Sequence, residues 1–371
     1  MIKSWDYKKE YSLLKKRIIF SIDKTLRSGK LFFGHEVLKF EKEFLKKNKS
    51  RYGLSVASGT DAIYLSLKAL NIGKNDEVIT VANTAIPTVS AIVNTGASVK
   101  FVDIKDDYLM DPEKIEKIIT KKTKAIIPVH LYGQSCCMDK IIKIAKKYNL
   151  KVIEDCAQAQ GALFNKKKVG NFGITGCFSF YPTKILGAYG DGGFITTNDK
   201  RIFKKLRRLR FYGMEQLDPS KWWNNKYFAV DNGTNSRLSE VQGAILNVKI
   251  KSLDNYIKRR REIAEMYDKG LKNPNLIKPI KKKGKFHVYH LYVVAHKNLN
   301  RDIIFKKLKK FNIFLGVQYP YPLHKMLAYK NSSYKDLRVT EKYSKKIFSL
   351  PTYPTIENSK IKKIIKLLNK T

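Results

Sequence analysis

Val152-Ile153-Glu154-Asp155-Cys156-Ala157-Gln158 is a short apolar run that ends on two acids and turns. Its reading decides the fold. An apolar run this short, bounded by turn residues, suits a strand buried on both faces, and such strands belong to parallel sheets covered by helices. The pattern repeats on either side. Residues 76–81, 99–102, 125–129 and 177–180 read as further buried strands. Residues 59–70, 88–94, 115–119 and 139–148 carry helical spacing between them. Strand–helix alternation with short connections predicts an α/β fold, a large unit with a mainly parallel sheet covered by helices.

Beyond about residue 253 the character changes. Residues 254–271 are a long charged helical pattern, 274–279 a loop, 287–295 a strand-like alternation, 302–311 a helix and 359–368 an amphipathic helix. A smaller α+β unit is expected there. The predicted division is 1–250 for the large domain and 251–371 for the small one.

The chain has 371 residues, 43% of them hydrophobic, which excludes a disordered tail protein. Its net charge is +42. The lysines are spread over amphipathic patterns in short clusters. There is no zinc-finger spacing, no aromatic RNA-binding motif and no separate basic tail, so no nucleic-acid partner is expected. No apolar run reaches the roughly 18 residues of a membrane span, and no leader is evident at the start, so a cytoplasmic protein is expected. The four cysteines, Cys136, Cys137, Cys156 and Cys177, lack a metal-binding or paired pattern. No metal site is expected.

Chemistry concentrates in one ordered set. Asp155 closes a predicted strand, and open α/β sheets bind ligands at the carboxyl ends of their strands. Twenty-nine residues later comes Lys184, in Phe178-Ser179-Phe180-Tyr181-Pro182-Thr183-Lys184, followed by Gly190-Asp191-Gly192-Gly193. Ser58-Gly59-Thr60-Asp61 directly precedes a helix, whose amides and dipole favour a phosphate. Each alone is bland: a surface lysine, a helix cap, a helix start, a turn. Together they suit pyridoxal 5′-phosphate, which needs an amine for a Schiff base, a carboxylate for its ring nitrogen and a phosphate cradle.

The full series of motifs resembles the DegT/StrS family of pyridoxal-phosphate-dependent nucleotide-sugar aminotransferases, of fold type I. It runs from Ser28-Gly29-Lys30 through Ser58-Gly59-Thr60-Asp61-Ala62, Pro128-Val129-His130-Leu131-Tyr132-Gly133-Gln134 and the Asp155 and Lys184 segments. It continues to Gly233-Thr234-Asn235-Ser236-Arg237 and Tyr319-Pro320-Tyr321-Pro322-Leu323-His324.

The resemblance implies residue roles. Lys184 would anchor the cofactor and carry the proton, and Asp155 would pair with the pyridinium nitrogen. Gln158 would bond the phenolic oxygen, and Gly59, Thr60 and Ser179 would hold the phosphate. Asn235 would reach the phosphate of a neighbouring subunit, making a homodimer with shared active sites. His130, Tyr181, Tyr321 and His324 would border the substrate. His287 and His290, three apart in a strand-like stretch, read as structural.

The implied reaction moves an amino group from an amino acid, L-glutamate, to a nucleotide-linked keto-deoxysugar, with pyridoxamine 5′-phosphate as the intermediate form. The wording around residue 85 favours a dTDP-linked 3-keto-6-deoxyhexose, for surface glycan biosynthesis. The alternatives are a C4 aminotransferase on a UDP- or dTDP-4-keto sugar, and a pyridoxal-phosphate-binding regulatory protein. One departure stands out: Ala85 occupies the place where many relatives stack an aromatic ring on the cofactor.

Overall fold

The computed structural model describes residues 1–215 and 228–371. Helices α1 (Lys8–Arg27) and α2 (His35–Asn48) open it. Then follow β1 (Tyr52–Val56), α3 (Gly59–Ala69), β2 (Glu77–Val81), α4 (Ile86–Val93), β3 (Ser98–Val102), β4 (Thr123–Ile126), α5 (Met138–Lys147) and β5 (Lys151–Asp155). A small ribbon, β6 (Leu163–Phe164) and β7 (Lys167–Lys168), precedes β8 (Thr175–Ser179), β9 (Gly193–Thr197) and α6 (Lys200–Leu209). The remainder comprises α7 (Glu240–Lys249), α8 (Leu253–Gly270), β10 (Leu276–Ile277), β11 (Lys285–Phe286), β12 (Tyr292–His296) and α9 (Arg301–Lys309). It closes with β13 (Ser333–Tyr334), α10 (Arg338–Ser344), β14 (Ile347–Leu350) and α11 (Asn358–Leu368).

The main sheet has eight strands in the order β1-β9-β8-β5-β4-β2-β3-β13. Only β9 runs against its neighbours; every other pairing among β8, β5, β4, β2, β3 and β13 is parallel. The fold is therefore α/β with a mainly parallel sheet. Successive strand residues point to opposite faces, and the two cores follow that alternation. Val78, Phe101, Ala125 and Ile153 pack with Leu65 and Ala69 of α3 on one face. Ile79, Val102, Ile126 and Val152 pack with Ile141 and Ala145 of α5 on the other. Charged α5 thus buries only an apolar stripe, while its lysines stay in water.

A second sheet, β10-β12-β14, packs on α8, α9 and α11 through Ile263, Tyr267, Val294, Phe348, Ile361 and Ile364. Two segments cross the expected boundary at residue 250. Ile2 enters this second core and pairs with Ile313, while β13 adds to the edge of the main sheet beside β3.

Three local expectations are corrected. In place of a helix over 115–119 there is a single 3₁₀ turn, Glu116–Ile118, which follows another at Pro112–Lys114 that Asp111 caps and Pro112 starts. The strand expected over 287–295 begins only at Tyr292. Tyr289 adopts φ +50°, which no extended strand accommodates, and Arg260 Nη1 holds the Tyr289 and His290 carbonyls away from a ladder. The loop at 274–279 contains β10. Among the described residues no helix is long and apolar enough to cross a membrane.

Candidate active site

The carboxyl ends of β5 and β8 open beside the start of α3, and a cavity of about 290 Å³ lies between them. The sequence places chemistry at each of its walls. Asp155 is the last residue of β5. Its Oδ2 accepts the Thr88 hydroxyl at 2.8 Å, and its Oδ1 accepts the Ala157 amide at 3.0 Å. Ser58 caps α3 by accepting the Asp61 amide at 3.1 Å. Gly59 and Thr60 therefore form the open first turn, with the helix dipole aimed at the cavity. Gly59 has no room for a side chain, since an added Cβ would lie 2.7 Å from Ser179 Cβ.

Lys184 comes from the loop joining β8 to β9, which folds back on itself through Phe180 N–H to Gly192 O and Ala188 N–H to Phe180 O, each 2.7 Å. Burial lowers the Lys184 amine from 10.5 to about 8, against the opposing pull of the Asp155 carboxylate. Near neutral pH this amine gives up its proton far more readily than an ordinary lysine, as a nucleophile or base requires.

Gln158 is held at both ends. Its Oε1 accepts the Tyr132 amide at 2.8 Å, and its Nε2 donates to the Tyr319 hydroxyl at 2.9 Å. It also lines a second cavity, of about 450 Å³, that shares Tyr181 and Lys184 with the first. The structure thus brings Gly59, Thr60, Asp155, Gln158, Ser179, Tyr181 and Lys184 around one continuous space. At the position of the missing aromatic the wall is aliphatic, made by Ala85 with Pro87, Val129 and Ile63.

Four expected residues lie elsewhere. His130 is fully buried, with Nε2 3.0 Å from Glu154 and Nδ1 accepting the Cys136 amide at 3.1 Å. It lines neither cavity, and both ring nitrogens already serve the scaffold. His324 also lines neither cavity. Its Nε2 meets Glu341 at 2.9 Å, and its ring is buried between Phe101 and Tyr334. Tyr321 is 68% exposed and lines neither cavity. Asn235 is also exposed; its Oδ1 accepts the Arg237 Nε–H, while the adjacent Ser236 is tied to Asp61 and the Ala57 amide behind α3.

His130, Glu154 and Cys156 lie close enough to share an ion. Glu154 is already saturated, because it accepts the Gly170, Phe172 and Gly173 amides at 2.7–2.8 Å as well as His130.

Sequence reasoning gave no site role to Thr88, Tyr319, Arg260 or His290. Thr88 and Tyr319 sat in motifs whose neighbouring residues drew the attention. Arg260 and His290 arrive from segments more than a hundred residues from Asp155 and carry no spacing signal.

Residues 13–369 match the model of the DegT/DnrJ/EryC1/StrS aminotransferase family. The chain belongs to that family. This aminotransferase is 42% identical to dTDP-3-amino-3,4,6-trideoxy-alpha-D-glucose transaminase of Micromonospora megalomicea subsp. nigra, over 95% of this chain and 94% of the relative. It is also 42% identical to dTDP-3-amino-3,6-dideoxy-alpha-D-galactopyranose transaminase of Aneurinibacillus thermoaerophilus, over 96% and 95%. DesV of S. venezuelae, solved in complex with a ketimine intermediate, superposes with a TM-score of 0.94 at 34% identity, covering 100% of this chain and 98% of the other. The fold is fold type I, and pyridoxal 5′-phosphate is the cofactor of this aminotransferase. The site fits it: an amine, a buried carboxylate and a side-chain-free cradle at a helix start converge on one cavity.

Proposed function

We propose that this aminotransferase takes an amino group from an amino acid, L-glutamate, and delivers it to C3 of a dTDP-linked keto-6-deoxyhexose. The observation that carries the reading is the convergence of Lys184, Asp155 and the start of α3 on one cavity that continues into a second, larger one. The C3 and dTDP assignments are supported by the activities in the names of the two relatives at 42% identity. The product would serve a deoxysugar-bearing surface glycan, made in the cytoplasm. The regulatory alternative is not favoured, because both relatives at 42% identity are named as sugar transaminases.

When bound, the cofactor supplies an electron sink for the carbon losing its proton. Lys184 would be its covalent anchor, and the amine, once freed and neutral, would move the proton. Asp155, fixed by Thr88 and the Ala157 amide, would keep a proton on the ring nitrogen. Gly59, Thr60 and Ser179 would hold the phosphate. Gln158, oriented by Tyr132 and Tyr319, would bond the phenolic oxygen, and Tyr181 would border the substrate.

The experiment offers L-glutamate with a panel of dTDP- and UDP-linked 3-keto and 4-keto sugars, and locates the new amine by NMR. Amination at C4, or only of UDP sugars, refutes the assignment.

The homodimer belongs to the same proposal, as does a division of the chain near residue 250. Leu13, Phe20, Leu26, Leu31, Phe32 and Leu38 are each 44–70% exposed within one short stretch, an apolar surface that a second chain would cover. Asn235 lies outside its own chain's cavity, which supports a role in a partner's. Mixing inactive Lys184→Ala with Asn235→Asp tests this. A shared site gives mixed dimers one intact centre and recovers activity; no recovery after verified subunit exchange refutes it.

A further inference from the structure

The second cavity holds an unbalanced charge. Arg260, on α8, is 3% exposed, yet among the described residues it makes no ion pair. Its Nη1 donates to three carbonyl oxygens, of Tyr289, His290 and Thr352, at 3.0–3.2 Å. Its Nε finds no partner among the described residues. Burial lowers this guanidinium from 12.5 to about 10, and the one carboxylate among the described residues that acts on it, Glu10, does so from beyond contact. Buried arginines are normally paired, because three carbonyl dipoles offset a full charge only in part.

Beside it stands His290, 6% exposed, with Nδ1 unpartnered. Burial, together with the charges of Lys184 and Arg260, holds His290 well below the ordinary imidazole range, so it is neutral and can donate one N–H. Thr183 adds a hydroxyl to the same walls, while the Ser349 and Thr352 hydroxyls donate to Gln318 Oε1 and Leu350 O. A cavity with an unpaired guanidinium, a neutral imidazole and Lys184 in its lining is built for a small anion.

We propose that this cavity receives the α-carboxylate of the amino-acid donor, with Arg260 as its charge partner and His290 as a hydrogen-bond donor. Reach favours this anion over the nucleotide's diphosphate. The α-carboxylate is one bond from the carbon that carries the reacting amine at Lys184, whereas the diphosphate stands across the sugar ring from C3. The inference rests on the amino transfer proposed above and names its donor subsite.

The test uses holoenzyme, wild type and Arg260→Lys and Arg260→Gln. Binding of glutarate, a dicarboxylate without an amine, is measured by calorimetry. Amination of the cofactor by L-glutamate, with no sugar present, is followed in the absorption spectrum. Arg260→Gln is expected to weaken L-glutamate by about 10- to 100-fold, the worth of one charged hydrogen-bonded contact, with the KM for the nucleotide sugar within about threefold of wild type. Arg260→Gln also releases three carbonyls, so Arg260→Lys carries the decision where Arg260→Gln does not fold. Wild type should prefer L-glutamate to isoglutamine, its α-amide, by at least about tenfold; Arg260→Lys, which keeps the charge and loses the planar fork, should cut that preference by at least about threefold. Equal binding of glutamate and isoglutamine by wild type, an undiminished preference in Arg260→Lys, or a rise in sugar KM matching that for the donor overturns the inference. Cofactor amination by glutamate with no transfer to any nucleotide sugar would instead defeat the proposed function and leave this subsite standing.

Discussion

Replacing Lys184 by methionine should make the cofactor-free protein more stable at neutral pH, by an amount that vanishes in alkali. In the unfolded chain a lysine keeps its proton to about pH 10.4. In the folded chain Lys184 gives it up near pH 8, because burial disfavours the charged form more than Asp155 restores it. Each tenfold loss of proton affinity corresponds to about 1.4 kcal/mol, so the fall from 10.5 to about 8 represents about 3 kcal/mol carried against folding below pH 8. Between the two values the unfolded state binds the extra proton, and stability therefore rises with pH. Lys184→Met has no such proton. Urea unfolding of both apoproteins, from pH 7 to 9.5, should show the gap between them closing by about 2 kcal/mol, while all other groups cancel in the difference. A gap that stays constant across this range would refute a buried, weakly basic Lys184, whatever the absolute stabilities are.

Other expectations concern the framework of the site. Asp155→Asn should lower kcat by about a thousandfold, since the ring-nitrogen charge is lost, while the remaining oxygen can still accept one of the two bonds from Thr88 and Ala157; activity within tenfold of wild type counts against the pairing. Gly59→Val must push its Cβ into Ser179, 2.7 Å away, and cofactor titration should show at least about tenfold weaker retention. Glu154→Leu strands the Gly170, Phe172 and Gly173 amides at about 1–3 kcal/mol each, so the urea midpoint should fall steeply; a loss under about 1 kcal/mol would show those amides find other partners.

Much of this molecule was legible in its residues, and the physical reason differs by level. Parallel strands announce themselves because both faces are buried, which leaves uninterrupted apolar runs such as those at Val78–Val81 and Val152–Ile153. Lys184, Asp155 and Gly59 were legible because strand ends and helix starts are local features that set where a ligand sits. The side chains of His130 and His324 were less legible, because motif membership fixes a residue's neighbourhood and not the direction of its side chain. Glu154 and Glu341 decide that direction. Arg260 and His290 gave no signal as cavity-lining residues for another reason. They reach the cavity on α8 and the segment before β12, and no periodicity encodes that approach. The early start of an expected strand at residue 287 failed on one backbone angle, at Tyr289.

The reversed strand β9 also bears on how the chain assembles. Most pairings in the main sheet join segments separated by a whole crossover, and β1 meets β9 only after more than a hundred residues of chain have been laid down. Between β8 and β9 the partners Gly176 and Thr196 are close in sequence, so closing that loop costs little chain entropy. The hairpin that carries Lys184 can thus form early and locally, ahead of the slow long-range pairings. Its lysine would be held in the hairpin before long-range strand pairing brings Asp155 and α3 beside it to complete the cavity.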